Sequence, residues 1–297
     1  MKRRSCVTGG AGFIGSHCVD LLLSQNEDVV VLDDLSTGLR ENIHPKASFI
    51  DGSICSDTDI AEAVAGCQTV YHLASRVSVA ESIESPEIYK QVTALGTQRV
   101  LRVSRECNVS RVVLASSCSV YGDAQVPTSE TSPLDPLSPY AESKREAEIY
   151  CQEEAGPSFS TIVLRFFNVF GVRQRADSPY AGVIARFMDA VHAGQVPTVF
   201  GDGLQTRDFI HVSDVARALV RAGEPDSPGD GSAFNVGSGK ELSINDLIQL
   251  IGCVSPKRMP AREGEILRSC ADVSKAREEL GFVSKCSVAD GLDSLRR

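Results

Sequence analysis

The sequence predicts an α/β protein, a doubly wound parallel sheet with a smaller lobe formed by its C-terminal part. Three observations carry this. Short runs rich in β-branched residues alternate with helical patterns through the first half. A glycine-rich turn, TGGAGFIG, directly follows the first of those runs. An acid, Asp33, stands at the end of the second run, 18 residues beyond Gly15.

Taken in order, RRSCVT (3–8) reads as a short strand, followed by the glycine turn and a helix through about Ser24. DVVVLDD (28–34) is the second strand, and TVYHLA (69–74), RVVLA (111–115) and TIVLRFF (161–167) are further buried strands. Helical patterns lie between them near 57–65, 86–107 and 138–154. Strands alternating with helices in this way imply a parallel sheet covered on both faces. After about Asn168 the pattern loosens, with Gly/Pro-rich stretches at 171–182, 196–206 and 223–239. Helices are expected between them at 182–193, 213–222, 243–252 and 273–280. The expected division is 1–168 for the first domain and 169–297 for the lobe, partly interleaved with it.

At 297 residues with 42% hydrophobic content, the chain can bury a sizeable core. A formal charge of −9 and a pI near 5.1 argue against nucleic acid or an acidic membrane surface as partners. No apolar run approaches the roughly 18 residues of a membrane span. MKRR resembles the start of a signal peptide, but glycines at 9, 10 and 12 interrupt any apolar region, so a cytoplasmic protein is expected. The ten cysteines (6, 18, 55, 67, 107, 118, 151, 253, 270 and 286) are scattered, without CxxC or a nearby His. That spacing predicts buried thiols in a reducing compartment and no metal site.

Within TGGAGFIG, Gly9, Gly10, Gly12 and Gly15 satisfy both GxGxxG and GxxGxxG. Glycine allows backbone to approach a pyrophosphate closely, and the helix N-terminus that follows favours the anion. Alone the pattern describes an ordinary turn; between a strand and a helix, with Asp33 at the ribose position, it describes a Rossmann-type dinucleotide site. Asp33 with no Arg directly after it selects NAD over NADP, because a carboxylate repels a 2′-phosphate. Asp34 reads as a cap or a solvated residue.

Tyr140 and Lys144, four apart in SPYAESKREAE, face the same side of a helix. After the strand RVVLA, such a pair makes a general base: the ammonium and a cationic nicotinamide would both lower the phenol from its usual value of about 10. Ser117 in ASSCSVYG ends that strand and can hydrogen-bond the same oxygen.

With these residues the chain resembles the extended short-chain dehydrogenase/reductases, and within them the nucleotide-sugar epimerases typified by UDP-glucose 4-epimerase. The resemblance runs through TGGAGFIGSH, VLDDLSTG, VYHLAS, ASSCSVYGD, SPYAESK, LRFFNVFGVRQ, GDGLQTRDFIHVSDVA, FNVGSG and REGEILRSCADVSKA. It implies NAD as cofactor, bound by Gly9, Gly12, Phe13, Ile14, Gly15, Asp33, Ser36, Ile54, Leu73, Ala74, Ser75, Tyr140, Lys144 and Phe167. It implies Ser117, Tyr140 and Lys144 as catalytic residues. A UDP-sugar substrate would meet Ser117, Ser119, Asn168, Val183, Phe200, Arg207, Arg262, Glu265 and Ser269. Of these, Asn168 and Arg207 would hold the diphosphate, and Arg262 with Glu265 the ribose or phosphate end. Read without the resemblance, Arg207 is a solvated charge after a turn, and Arg262 and Glu265 are an exposed pair on a loop. The implied reaction is reversible C4 epimerisation of a UDP-hexose, and the implied assembly is a homodimer packed through the helices at 86–107 and 138–154.

Members that dehydrate or decarboxylate carry an acid directly after the position of Ser117. This chain has Cys118, and a thiol of pKa about 8.5 does not replace a carboxyl group there. Cys118 is expected to be a small packing residue. The alternatives are a GDP-sugar epimerase/reductase, in which such a cysteine shuttles protons, a UDP-uronate epimerase, or a non-catalytic NAD or nucleotide-sugar binder. The first fits less well, since Val-Tyr-Gly follows here and Asp33 disfavours NADPH. Seven residues after Arg262, the resemblance places the side chain that limits what the hexose carries at C2. Ser269 is small, so N-acetylated sugars are expected to fit. Thr93 stands where the family usually has Asn, and Ser53 where an acid commonly precedes Ile54.

Overall fold

A computed structural model describes residues 2–175, 182–253, 255–262 and 264–296; positions 176–181 of the Gly/Pro-rich stretch 171–182 lie outside the described residues. Six strands follow the chain in order: β1 (Arg4–Thr8), β2 (Asp28–Asp33), β3 (Ser48–Asp51), β4 (Thr69–His72), β5 (Arg111–Ser117) and β6 (Ser160–Phe166). The strand Asp230–Val236 joins them, giving a seven-stranded sheet in the order β3, β2, β1, β4, β5, β6 and then Asp230–Val236. Every pairing is parallel. Strand order reverses between β1 and β4, so a crevice opens there at the carboxyl ends of the strands.

Side-chain alternation explains the two covered faces. Val7, Val31, Val113, Ile162 and Leu164 point to one side, against Phe13–Ser24 and Val212–Ala222. Their neighbours Cys6, Val30, Val112 and Val163 point to the other, against Asp57–Val64, Leu95–Glu106 and Pro139–Glu154. Each such side chain, fully buried, contributes about 1.5–3 kcal/mol, so the central strands hold the sheet together from both sides. A separate apolar cluster of Phe170, Ile184, Phe187, Phe209, Leu247 and Ile248 lies in the C-terminal part.

Helix starts follow the local chemistry. Ser56, Ser78, Ser138, Ser243 and Ser287 each accept a hydrogen bond from a backbone N–H in the first turn. Ser138 is followed by Pro139 at the first helical position, which places Tyr140 near the positive end of Pro139–Glu154.

Three sequence expectations change. The sequence reads 223–239 as a Gly/Pro-rich connection, but it contains Asp230–Val236, paired parallel with β6 with a register shift between Asp230 and Ala233. The strand β3 had no counterpart; it lies at the sheet edge with no buried residue, so no apolar run announces it. The helix expected at 86–107 is broken into an α turn at Pro86–Tyr89, a π turn at Lys90–Ala94 and an α-helix at Leu95–Glu106.

Candidate active site

A cleft of about 710 Å³ opens where the strand order reverses. It is lined by Gly9, Gly12, Phe13, Ile14, Gly15, Asp33, Ser36, Ile54, Leu73, Ala74, Ser75, Ser117, Tyr140, Lys144, Phe167 and Asn168. Every residue expected at the cofactor therefore lies in one continuous space.

At one end is the glycine turn. Gly9 has φ +71°, and a Cβ there would stand 2.7 Å from the backbone nitrogen of Ala74. At Gly15 a Cβ would lie 2.1 Å from the carbonyl oxygen of Gly9. No side chain fits at either position, so the turn lies flush against the first turn of Phe13–Ser24. Asp33 is held rigidly beside it, Oδ2 accepting from Ala11 N and Oδ1 from Leu35 N, both at 2.9 Å. Burial pushes its pKa up, while those two bonds pull it down. A backbone cradle beside a fixed acid suits a dinucleotide, the glycines facing pyrophosphate and Asp33 the ribose hydroxyls.

At the other end are Ser117, Tyr140 and Lys144. Ser117 ends β5, and its hydroxyl also accepts from Ser119 N at 3.1 Å. Burial pushes Tyr140 up to about 12, a hydrogen bond with Ser117 lowers it, and the neighbouring Cys118 raises it. The expected lowering by the lysine is not what the geometry provides. Lys144 Nζ donates instead to Ala115 O at 2.8 Å and to Ser75 Oγ at 3.1 Å. Burial lowers its own pKa to about 8, against the pull of Glu148 one turn further along the helix. Lys144 thus ties the helix to β5 and to the loop after β4.

The residues expected at the substrate divide. Ser117 and Asn168 line the cleft, and Asn168 donates to Asp208 O at 3.2 Å. Arg207 is not solvated: it is largely buried and pairs with Glu265 at 3.3 Å, and burial lowers its pKa. Arg262 is exposed on its loop and stacks 3.9 Å over the Phe200 ring, while Glu265 is the partner of Arg207. Gln205 links the two groups, donating to Phe200 O at 2.9 Å. Burial raises the Cys118 thiol to about 12, with Ser269 and Ser117 lowering it; Ser269 itself does not line the cleft. Ser119 Oγ is buried with no hydrogen-bond partner among the described residues. Val183 opens Val183–His192, half-buried against the C-terminal cluster, and does not line the cleft.

Sequence reasoning passed over Asp208, although it follows Arg207 directly. Fully buried, its carboxylate accepts from Ser238 N, Ser238 Oγ, Gly239 N and Ala271 N. It thereby fastens two loops beside Arg207 and Ser269. Arg76 and Glu81 also line the cleft unforeseen, on a segment with no strong periodicity.

The pattern of the NAD dependent epimerase/dehydratase family matches residues 5–237. A protein of Mycolicibacterium smegmatis named UDP-glucose 4-epimerase is 40% identical over 97% of this chain and 96% of its own length. The crystal structure of a Thermotoga maritima UDP-glucose 4-epimerase with UDP-glucose superimposes with a TM-score of 0.93 at 36% identity, covering 98% of this chain and 97% of that one. A UDP-N-acetylglucosamine 4-epimerase from Methanobrevibacter ruminantium in complex with UDP-N-acetylmuramic acid gives a TM-score of 0.93 at 34% identity, covering 99% and 97%.

Proposed function

The chain belongs to the NAD dependent epimerase/dehydratase family, and from that premise we propose that it catalyses reversible C4 epimerisation of a UDP-hexose. The observation that carries this reading is the placement of Ser117, Tyr140 and Lys144 in the same cleft as the glycine cradle and Asp33, with a thiol and not a carboxyl group at position 118. Residues 169–297 are taken as the part that holds the nucleotide sugar.

When bound, NAD supplies a hydride acceptor for sugar C4 and a positive charge beside Tyr140 that offsets the burial of its phenol. The Tyr140 oxygen takes the proton of the sugar 4-hydroxyl, oriented by Ser117. Asn168 and Arg207 hold the diphosphate, so the 4-keto sugar stays tethered while it turns its other face to Tyr140. As C4 is reduced again from its opposite face, Tyr140 returns the proton to the sugar 4-oxygen and the inverted alcohol results. Incubating the purified protein with a panel of UDP-hexoses tests this by NMR of the products and absorbance of reduced nicotinamide. C4 inversion without stoichiometric NADH is expected; NADH accumulating with product would make the protein a net dehydrogenase.

The breadth of substrate follows from Ser269. Its nearness to Cys118, the neighbour of Ser117, supports a place close to the sugar. A small side chain there leaves space at the hexose C2, and UDP-N-acetylglucosamine and UDP-N-acetylgalactosamine are expected to be accepted with the plain hexoses. Overpacking a closed pocket costs about 1–3 kcal/mol, so Ser269→Tyr lowers kcat/KM for the N-acetylated pair about 5- to 150-fold and spares UDP-galactose. Wild-type protein that turns over UDP-galactose alone would remove Ser269 as the gate.

The assembly in this reading is a homodimer. Val79, Ile83, Ile88 and Ile149 are exposed apolar side chains on Val79–Glu84, Pro86–Tyr89 and Pro139–Glu154, three helices that pack on one another. A second copy covering them removes that surface from water. Light scattering at micromolar concentration is expected to give twice the chain mass; a monomer mass counts against it. The site of action in this reading is the cytoplasm, supported by ten free thiols. Among the described residues no helix is long and apolar enough to cross a membrane.

A further inference from the structure

A buried chain of hydrogen bonds beneath the cleft runs in one direction. Thr97 Oγ1 donates to Thr93 O at 2.6 Å, so its 3.0 Å contact with His72 Nε2 is one in which the ring nitrogen donates. His72 therefore carries its proton on Nε2, and Nδ1 accepts from Thr8 Oγ1 at 2.7 Å. Thr8 Oγ1 in turn accepts from Ala74 N at 3.2 Å. His72, Thr8 and Thr97 are all buried, and burial holds the imidazole neutral, the charge of Lys144 adding to the effect. The chain thus joins the residue before the glycine turn to the helix on the far side of β4.

That helix changes period where the chain reaches it. Thr93 lies in the π turn Lys90–Ala94, and its carbonyl is the acceptor that an α-helix reserves for the N–H four residues later. The Thr97 hydroxyl shares that acceptor, so it ties the end of the π turn, whose wide spacing closes between Lys90 O and the Leu95 N–H, to His72. A π turn holds one residue more than an α turn, so side chains before it are rotated by about 100° relative to an unbroken α-helix. Tyr89 is the last residue before the π turn. It is fully buried and meets Tyr140 edge-to-face, the centroids 6.3 Å apart and the planes at 89°. Its hydroxyl is fixed as well, accepting from Ser78 N at 3.0 Å and donating to Glu81 Oε2 at 2.8 Å. Tyr89 is thus pinned at its hydroxyl and rests its ring on Tyr140.

We propose that Thr97 is a positioning residue for Tyr140: its hydroxyl, braced by His72, holds the π turn that sets Tyr89 edge-on against the Tyr140 ring. The inference rests on the reading of Tyr140 as the base.

Thr97→Val removes the hydroxyl at nearly constant size, and Thr97→Ser restores it. In Thr97→Val, kcat is expected to fall about tenfold with KM for the UDP-sugar within about twofold, as for a misplaced reacting group. Amide exchange across 89–97 is expected to quicken while the helix after the glycine turn keeps its rate, and Thr97→Ser is expected to recover both properties. Unchanged exchange or unchanged kcat in Thr97→Val, or Thr97→Ser as impaired as the valine variant, overturns the proposal. If the parent protein inverts no UDP-sugar, the proposed function fails and the exchange result alone decides on the π turn. Should Thr97→Val not fold, Tyr89→Leu leaves the hydroxyl chain intact; a lower kcat at constant KM then supports the proposal and a parental kcat overturns it.

Discussion

Tyr140→Phe lowers turnover about 10²- to 10⁴-fold, the range over which removal of a general base is felt. The substitution takes away one oxygen and keeps the ring that rests against Tyr89. Fold and cofactor affinity are therefore expected to stay at parental levels by circular dichroism and by NAD titration. A phenol that burial raises to about 12 is a poor base in the chain alone, so catalysis at neutral pH depends on positive charge brought in beside it. Cys118→Ala is the control. The thiol is held protonated by burial, so its loss is expected to change kcat less than about threefold against the far larger base effect. Near-parental activity in Tyr140→Phe removes Tyr140 from the mechanism. A collapse in Cys118→Ala would point to a proton-shuttling cysteine.

Glu148→Ala is expected to cost about 3–5 kcal/mol of stability, because it leaves the Arg165 guanidinium buried without its partner. The Glu148 and Arg165 side chains are 2% and 4% exposed, and Arg165 Nε and Nη2 both donate to the Glu148 carboxylate. Burial works against the arginine charge, but the bonds to Glu148 and its charge more than offset it, so its pKa stands above the usual value. Ser116 Oγ donates to the same carboxylate, and Arg165 Nη1 donates to Tyr121 OH at 2.8 Å. Tyr121 OH then donates to Asn235 Oδ1 at 2.6 Å, on the seventh strand. Replacing Glu148 and Arg165 together by methionine recovers most of the loss, since no lone charge remains. Denaturant unfolding of the two single variants and the pair measures this. A loss under about 1 kcal/mol in Glu148→Ala would mean that water reaches the arginine.

What the sequence made legible was local. The glycine turn, Asp33 and the Tyr140–Lys144 spacing are short-range signals whose chemistry demands those residue types, and all of them meet in one cleft. β1, β2, β4, β5 and β6 announce themselves because both faces are buried, which leaves continuous apolar runs. Three things depended on distant partners and were not legible. The strand Asp230–Val236 begins DGS among glycines and is a strand because β6 offers it an unpaired edge. The break at Lys90–Ala94 is buttressed by a hydroxyl bonded to His72, a contact that hydrophobic periodicity does not register. The partners of Lys144 are a serine in the loop after β4 and a carbonyl on β5, so its spacing from Tyr140 gave no sign that it bonds elsewhere.

The seventh strand also orders events in time. While the ribosome is still making the segment after β6, that strand stands at the rim of the sheet with its N–H and C=O groups open on one side. They stay so until Asp230–Val236 emerges and closes the rim. An open parallel edge is a template for any passing chain, and distant pairing of this kind is slow. A fragment stopping near Asn168 would keep the glycine cradle, Asp33 and Tyr140, yet lack Asn235, to which Tyr121 donates. Such a fragment is a nucleus for association between chains, and a break for circular permutation or for a split reporter belongs in an exposed loop away from that rim.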